Sequence, residues 1–180
     1  AEQRFCDDFM LLNSDDIIFI NTPATNSSKT NKIDAEVATK IAKSLAQKSD
    51  SNLDNSDIGI IVAFRMQGNE IFKNLGELSR IIDVDTVERF QGSERRTIII
   101  SFAVNKPVEI DMISNVSSFN GKIVDRKLNV AITRAKEKLI IIGNAQILMH
   151  SPVYFKMINY IKEKHLFIDY ERILSDGSNH

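Results

Sequence analysis

Residues 128–143 read LNVAITRAKEKLIIIG. At about 100° per residue, Leu128, Ala131, Ile132 and Ala135 share one side of a helix, and the apolar run at 139–143 behind them reads as a buried strand. Asn129, Thr133, Lys136 and the preceding Arg126 fall on a second, polar stripe. Lys127, Val130 and Arg134 fall on a third, which separates Arg134 from the Asn129–Thr133 line. One helix therefore buries one side and addresses two different targets with the others. A plainer account competes with this: basic residues gather near a helix C-terminus because the macrodipole favours cations there, by about 0.3–1 kcal/mol each.

The same alternation of compact apolar run and amphipathic helix recurs along the chain. Ile17–Ile20 is a β-branched and aromatic run closed by Asn21-Thr22-Pro23, and Ile33, Val37, Ile41 and Leu45 recur every four residues through 34–48, a helix with Asp34 near its start. After the turn-rich SDSNLDNSD at 49–57 come a second strand, 58–64, and a helix from Arg65 or Gln67 to about Leu78. A third strand is expected over 81–84 and a fourth over 97–103, with the polar 85–96 between them. The stretch 105–123 carries Pro107, Gly121 and several Ser and Asn; it reads as a long loop, mobile and near the strand exit. Asp125 can cap the helix that follows. Pro152 suits the first turn of a last helix running to Lys164, with Val153, Met157, Tyr160 and Ile161 inward, and 166–170 reads as one more strand or an extended tail. A weakly structured segment is expected over 1–16 and a disordered tail over 171–180. Short apolar strands alternating with helices give an α/β class with a mostly parallel sheet, and in such sheets ligands lie outside the carboxyl ends of the strands.

Composition narrows the function. The chain has 180 residues, is 43% hydrophobic and 26% charged, and carries a formal net charge of -1, so any nucleic-acid contact must come from a local patch. A lone Cys6 cannot form an internal disulfide, and three His with one Cys make no zinc spacing, which fits a reducing, intracellular compartment. Its apolar runs fall far short of the ~18 residues of a membrane span, so no membrane partner is expected.

Polar segments flank three strands: AFRMQ at 63–67, DTVERFQGSE at 85–94, and the helix 126–136 ahead of the apolar run at 139–143. In a parallel sheet they are expected on one rim. VDTVERFQGSE followed by RTIIIS, and then DRKLNVAITRAKEKLIIIG, resemble the last motif blocks of superfamily 1 helicases. The branch they are most similar to contains the nonsense-mediated-decay RNA helicase and the flap-processing nuclease-helicase. IGIIVAFRMQ resembles the preceding block, with Phe64 where the family usually has tyrosine, and the Asn31…Glu36 spacing is also similar.

The resemblance implies the second RecA-like lobe of such a helicase over 17–170, a three-layer sandwich of about five or six strands flanked by helices. It implies Arg134 as an arginine finger and Gln91 in the polar network near the phosphates. It assigns Glu94 to the ribose; beside it, Gly92 is read as giving the backbone room at a tight turn next to the nucleotide, and Arg65 and Gln67, which follow a strand end, as approaching either the nucleotide or the strand. Thr86 is implied at the nucleic-acid backbone, with Asn129, Thr133 and Arg126 on surfaces suited to the same task. Arg95, Arg96, Arg126 and Lys127 could form a basic track for single-stranded DNA or RNA.

No G-x-x-x-x-G-K-[ST] loop occurs, and no Asp-Glu pair closes a strand to hold magnesium. ATP and Mg2+ are therefore expected mainly on the first RecA-like lobe of the same polypeptide, and the isolated chain is expected to be inactive. Two alternatives remain on sequence grounds: a RecA-like binding or scaffold module without catalysis, and a free-standing flavodoxin- or Rossmann-type domain. The second would need a glycine-rich turn after the first strand, and Asn21-Thr22-Pro23-Ala24 is not one.

Overall fold

In the computed structural model, residues 17–48, 52–90 and 94–175 are described. In chain order the strands are β1 (Ile17–Asn21), β2 (Ile58–Val62), β3 (Asp83–Thr86), β4 (Arg95–Ser101), β5 (Val116–Phe119), β6 (Lys122–Asp125), β7 (Ala135–Gly143) and β8 (Phe167–Asp169). The helices are α1 (Lys32–Lys48), α2 (Arg65–Leu75), α3 (Ile110–Ile113), α4 (Arg126–Ile132), α5 (Ala145–Leu148), α6 (Pro152–Glu163) and α7 (Tyr170–Ser175). Six strands form one sheet in the order β3-β2-β4-β7-β1-β8, and every pairing in it is parallel. β5 and β6 form a separate antiparallel hairpin.

Side-chain alternation along the central strands divides the interior in two. Ile17, Phe19, Ile61, Ile98, Ile100, Leu139 and Ile141 face one core, closed by Leu128, Ala131 and Ile132 of α4 together with α3, α5 and α6. Ile20, Ile58, Ile60, Val62, Ile99, Ile140 and Ile142 face the other, closed by Val37, Ala38 and Ile41 of α1 and Ile71 and Leu75 of α2. Strands buried on both sides must be apolar throughout, which is why they appear as continuous runs rather than as alternating patterns. This is the RecA-like α/β sandwich of the sequence reading.

The details differ in instructive places. The expected helix over 126–136 stops at Ile132, and Ala135 and Lys136 already belong to β7, because pairing with β4 extends the strand back beyond its apolar run. The stretch 105–123 is not a structureless loop: it holds a 3-10 turn at Pro107–Glu109, α3 and most of the β5–β6 hairpin. Past 170 the chain continues as α7, with Ile173 and Leu174 packed against the second core.

β3 and β4 pair with β2 from opposite sides, so the chain between them crosses β2, and its described residues, 87–90 and 94, form no helix. So short a crossover must lie directly on the strand. Gly59 of β2 makes this feasible: a Cβ there would sit 2.9 Å from Phe90 Cε1 and 2.9 Å from Arg95 Cγ. Replacing Gly59 with valine is expected to lower unfolding free energy by about 1–3 kcal/mol, the usual range for an overpacked interior, as read by urea denaturation of this chain.

Candidate functional site

Residues 86–90 and α4 lie on the first face of the sheet, where Phe90 and Val87 pack into the core that Leu128, Ala131 and Ile132 close. At the carboxyl rim, the Thr86 hydroxyl hydrogen-bonds the Glu88 carboxylate, and Glu88 Oε1 lies 3.0 Å from Lys127 Nζ. Partial burial alone would raise the pKa of Glu88, but hydrogen bonds and charge from Lys127, with help from Thr86, hold it below its ordinary value. Asp125, fully buried, caps the start of α4: its Oδ1 accepts from Leu128 N at 3.1 Å and from Asn115 N at 3.3 Å. With Leu128, Ala131 and Ile132 inward, the helix is pinned from its first turn to its last.

At the other end, Arg95 N donates to Arg134 O at 2.9 Å as β4 and β7 begin. From there β7 advances from Ala135 to Lys138 while β4 advances only from Arg95 to Thr97, a β-bulge that re-aims the side chains between. Lys136 Nζ comes within 3.9 Å of Glu94 Oε2, and Glu137 within 3.5 Å of Arg96. The half-buried Arg134 donates from Nε to Val130 O at 3.4 Å and makes no ion pair among the described residues. A guanidinium, an ammonium and a carboxylate thus share one edge. It is the amino edge of the sheet, which corrects the expectation of a single rim: a segment that precedes a strand lies at that strand's amino end.

The remaining candidates divide accordingly. Thr86, Arg126 and Arg65, the exposed first residue of α2, stand on the carboxyl rim, so Arg65 is not beside Glu94. Thr133 is at the amino edge, where its hydroxyl bonds Val130 O at 2.9 Å, and Asn129 lies between with Oδ1 buried and unpaired. Gln91 and Gly92 lie outside the described residues. Arg95 pairs with Asp83 at 2.6 Å and stacks on Phe90, while Arg96 pairs with Asp57 and Glu137, so these four cations do not form one track.

Gln67 is taken into the interior. It is fully buried, accepting from Asn31 N at 2.9 Å and donating to Asn31 O at 3.0 Å and Ser101 Oγ at 3.1 Å. Its carboxamide satisfies a buried peptide group as a neighbouring strand would, which removes it from the nucleotide-facing set. Around it a polar network closes the carboxyl rim over β1 and β4. Asn31 caps α1 through Ile33 N and Asp34 N and bonds Pro23 O and Asn105 Oδ1. Asn105 in turn bonds Ser27 O, Thr30 O, Thr25 N and Glu109. Asp34 accepts from the Thr22 hydroxyl and, at 3.0 Å, from the amide of Ala103, which is held at φ +52°. Burial raises the pKa of Asp34 from 3.8 to about 6 against the lowering effect of those two bonds. The crevice where parallel sheets commonly bind ligands is therefore filled by the protein's own side chains.

A family profile described as an AAA domain matches residues 4–146. The chain belongs to this family. It is 37% identical over 117 residues to the DNA replication ATP-dependent helicase/nuclease DNA2 of Bos taurus, a match that covers 63% of this chain and 10% of that protein. To the DNA replication ATP-dependent helicase/nuclease JHS1 of Arabidopsis thaliana it is 26% identical over 155 residues, covering 82% of this chain and 11% of that one. The chain thus spans about a tenth of the length of these relatives. Among solved structures, the C-terminal domain of a possible DNA helicase from a Lactobacillus superposes with a TM-score of 0.51 at 13% identity, covering 95% of this chain and 98% of that one, a likeness of fold.

This AAA domain is the helicase-type RecA-like lobe that its motifs resemble. Its donors fit one flank of a nucleotide: Arg134 and Lys136 can meet phosphate charge and Glu94 can meet hydroxyls. Among the described residues no group of three His, Cys, Asp or Glu is gathered. Sequence reading missed the Glu88–Lys127 pair and the Asp34–Asn105–Glu109 network. The only signal for the latter was an excess of Asn, Asp and Glu in stretches read as loops.

Two outcomes follow from the rim. Because the folded pKa of Asp34 lies above the unfolded one, its contribution to stability is full below the unfolded value and is lost as pH rises through about 6. Unfolding free energy is thus expected to gain up to about 3 kcal/mol from this group as pH falls from 7 towards 4, a component absent from the urea profile of Asp34→Asn. Gln67→Ala, which orphans the Asn31 peptide group, is expected to cost about 1–3 kcal/mol in the same assay.

Proposed function

We propose that this domain is the second motor lobe of an ATP-dependent superfamily 1 helicase acting on DNA or RNA. In this reading the amino edge closes on a nucleotide held by the first RecA-like lobe of the same polypeptide, and the carboxyl rim forms part of the single-strand track. The observation that carries the reading is the meeting of Arg134 and Glu94, two motif residues forty positions apart, through the Arg95 N to Arg134 O bond at 2.9 Å.

Each side chain has a physical task. Arg134 neutralises the negative charge that builds on phosphoryl oxygens, a role for which cross-interface arginines are worth roughly 10³–10⁵ in rate. Among the described residues its guanidinium is held only at Nε, which leaves the terminal nitrogens for phosphate. Glu94 accepts from ribose hydroxyls, Gln91 orders the polar network beside the phosphates, and Gly92 gives the backbone room at the turn. ATP supplies the free energy of hydrolysis, with Mg2+ held by the first lobe. Thr86, Arg126 and Arg65 at the rim contact the sugar-phosphate backbone, Asn129 and Thr133, farther along towards the amino edge, are candidates for the same task, and no base is read. Opening and closing of the two lobes around each nucleotide then moves the strand.

The isolated chain, lacking a phosphate loop, is expected to show no ATP turnover. In a polypeptide containing both lobes, Arg134→Ala is expected to lower steady-state ATP hydrolysis by about 10³-fold or more while a fluorescent ATP analogue still binds. Near-normal hydrolysis would leave the domain as a non-catalytic binding or scaffold module.

A further inference from the structure

Glu88 and Lys127 join the two motif segments at the carboxyl rim, the face that the proposed function assigns to single-stranded nucleic acid. Lys127 Nζ is 3.0 Å from Glu88 Oε1, and both side chains are substantially exposed, at 37% and 54%. Neither is needed to fill the core. Lys127 directly follows Arg126, whose side chain is exposed, and Glu88 also takes the hydroxyl of Thr86. A single carboxylate therefore occupies both a cation and a hydroxyl that stand where a backbone phosphate would be bound. The two anionic oxygens of a phosphate diester would accept from the same ammonium and the same hydroxyl in its place.

We infer that Glu88 is an internal competitor for the strand: it holds Lys127 and Thr86 until a phosphate displaces it, and Lys127 then becomes a nucleic-acid ligand. Displacement is feasible because the pair is solvated and a released Glu88 remains in water, whereas a buried pair would resist exchange. The carboxylate lowers the affinity of the empty rim and repels non-cognate anions, so the lobe favours a strand that offers several phosphates at once over isolated anions.

The inference rests on the rim being the nucleic-acid face, and the experiment separates the two. In the two-lobed polypeptide, binding of a fluorescein-labelled oligothymidylate and of an oligouridylate is measured by anisotropy across a salt series for wild type, Glu88→Gln, Lys127→Gln, the double variant and Arg126→Ala. Glu88→Gln is expected to tighten binding about two- to fivefold, the range an exposed ion pair commands. Lys127→Gln is expected to weaken binding and to reduce the slope of log affinity against log salt by about 0.7, one phosphate contact on a single strand. In the Lys127→Gln background, Glu88→Gln is expected to lose most of its effect, which a purely structural clasp would not produce. Unchanged or weaker binding by Glu88→Gln, with Arg126→Ala still impaired, overturns the competitor role alone. Unchanged binding by Arg126→Ala and Lys127→Gln together removes the strand from this rim and the inference with it.

Discussion

The parallel pairing of β4 with β7 is the constraint from which the site follows. It joins two runs of isoleucine and leucine in the middle of the sheet, each buried on both faces, and so fixes the register between two segments that are otherwise remote in sequence. Once Ile98 lies against Leu139, Arg95 must lie near Ala135, and the residues just ahead of both strands meet at the amino edge. The bulge after Ala135 then turns Lys136 towards Glu94. Chemistry at the edge is therefore a by-product of apolar packing several residues away, and a slip of one residue between these strands would exchange the two cores along the whole strand.

The division of labour between rim and edge has a similarly simple origin. α4 begins beside the carboxyl end of β2 and ends beside the amino end of β7, so the helix spans the sheet from one side to the other. Val87 and Phe90, just after β3, pack into the same core as α4, and Glu94 stands directly ahead of β4. Two neighbouring segments thus place polar groups at both ends of one sheet, with Glu88–Lys127 at the top and Glu94–Lys136 at the bottom. Any tilt of α4 is felt at both ends because Asp125 anchors its first turn and the β7 ladder its last.

Most of this architecture could be read from the residues. Continuous apolar runs marked the buried strands β1, β2, β4 and β7, periodicity marked α1, α2 and α6, and Asp125 was recognisable as a cap. What escaped was set by contacts distant in sequence. Gln67 looked like a polar residue at a strand end, but its partners are Asn31 and Ser101, which no local pattern links to it. Lys136 fell on a helical stripe, although the pairing with β4 draws it into a strand. The polar residues of 105–123 suggested a loop, while Asn105 and Glu109 are in fact buried and hydrogen-bonded. Local chemistry could name these groups as polar but not say which way they point.

The position of β1 has a consequence for how the chain acquires its shape. β1 is the earliest described strand, yet it lies between β7 and β8 and pairs with nothing nearer in sequence than Leu139. During synthesis its apolar groups have no ladder until residues 139–143 have emerged, while β2, β3 and β4 can already associate. Assembly is thus ordered from the middle outward, and ring closure over so long a span makes the final docking slow compared with that of a helical bundle of similar size.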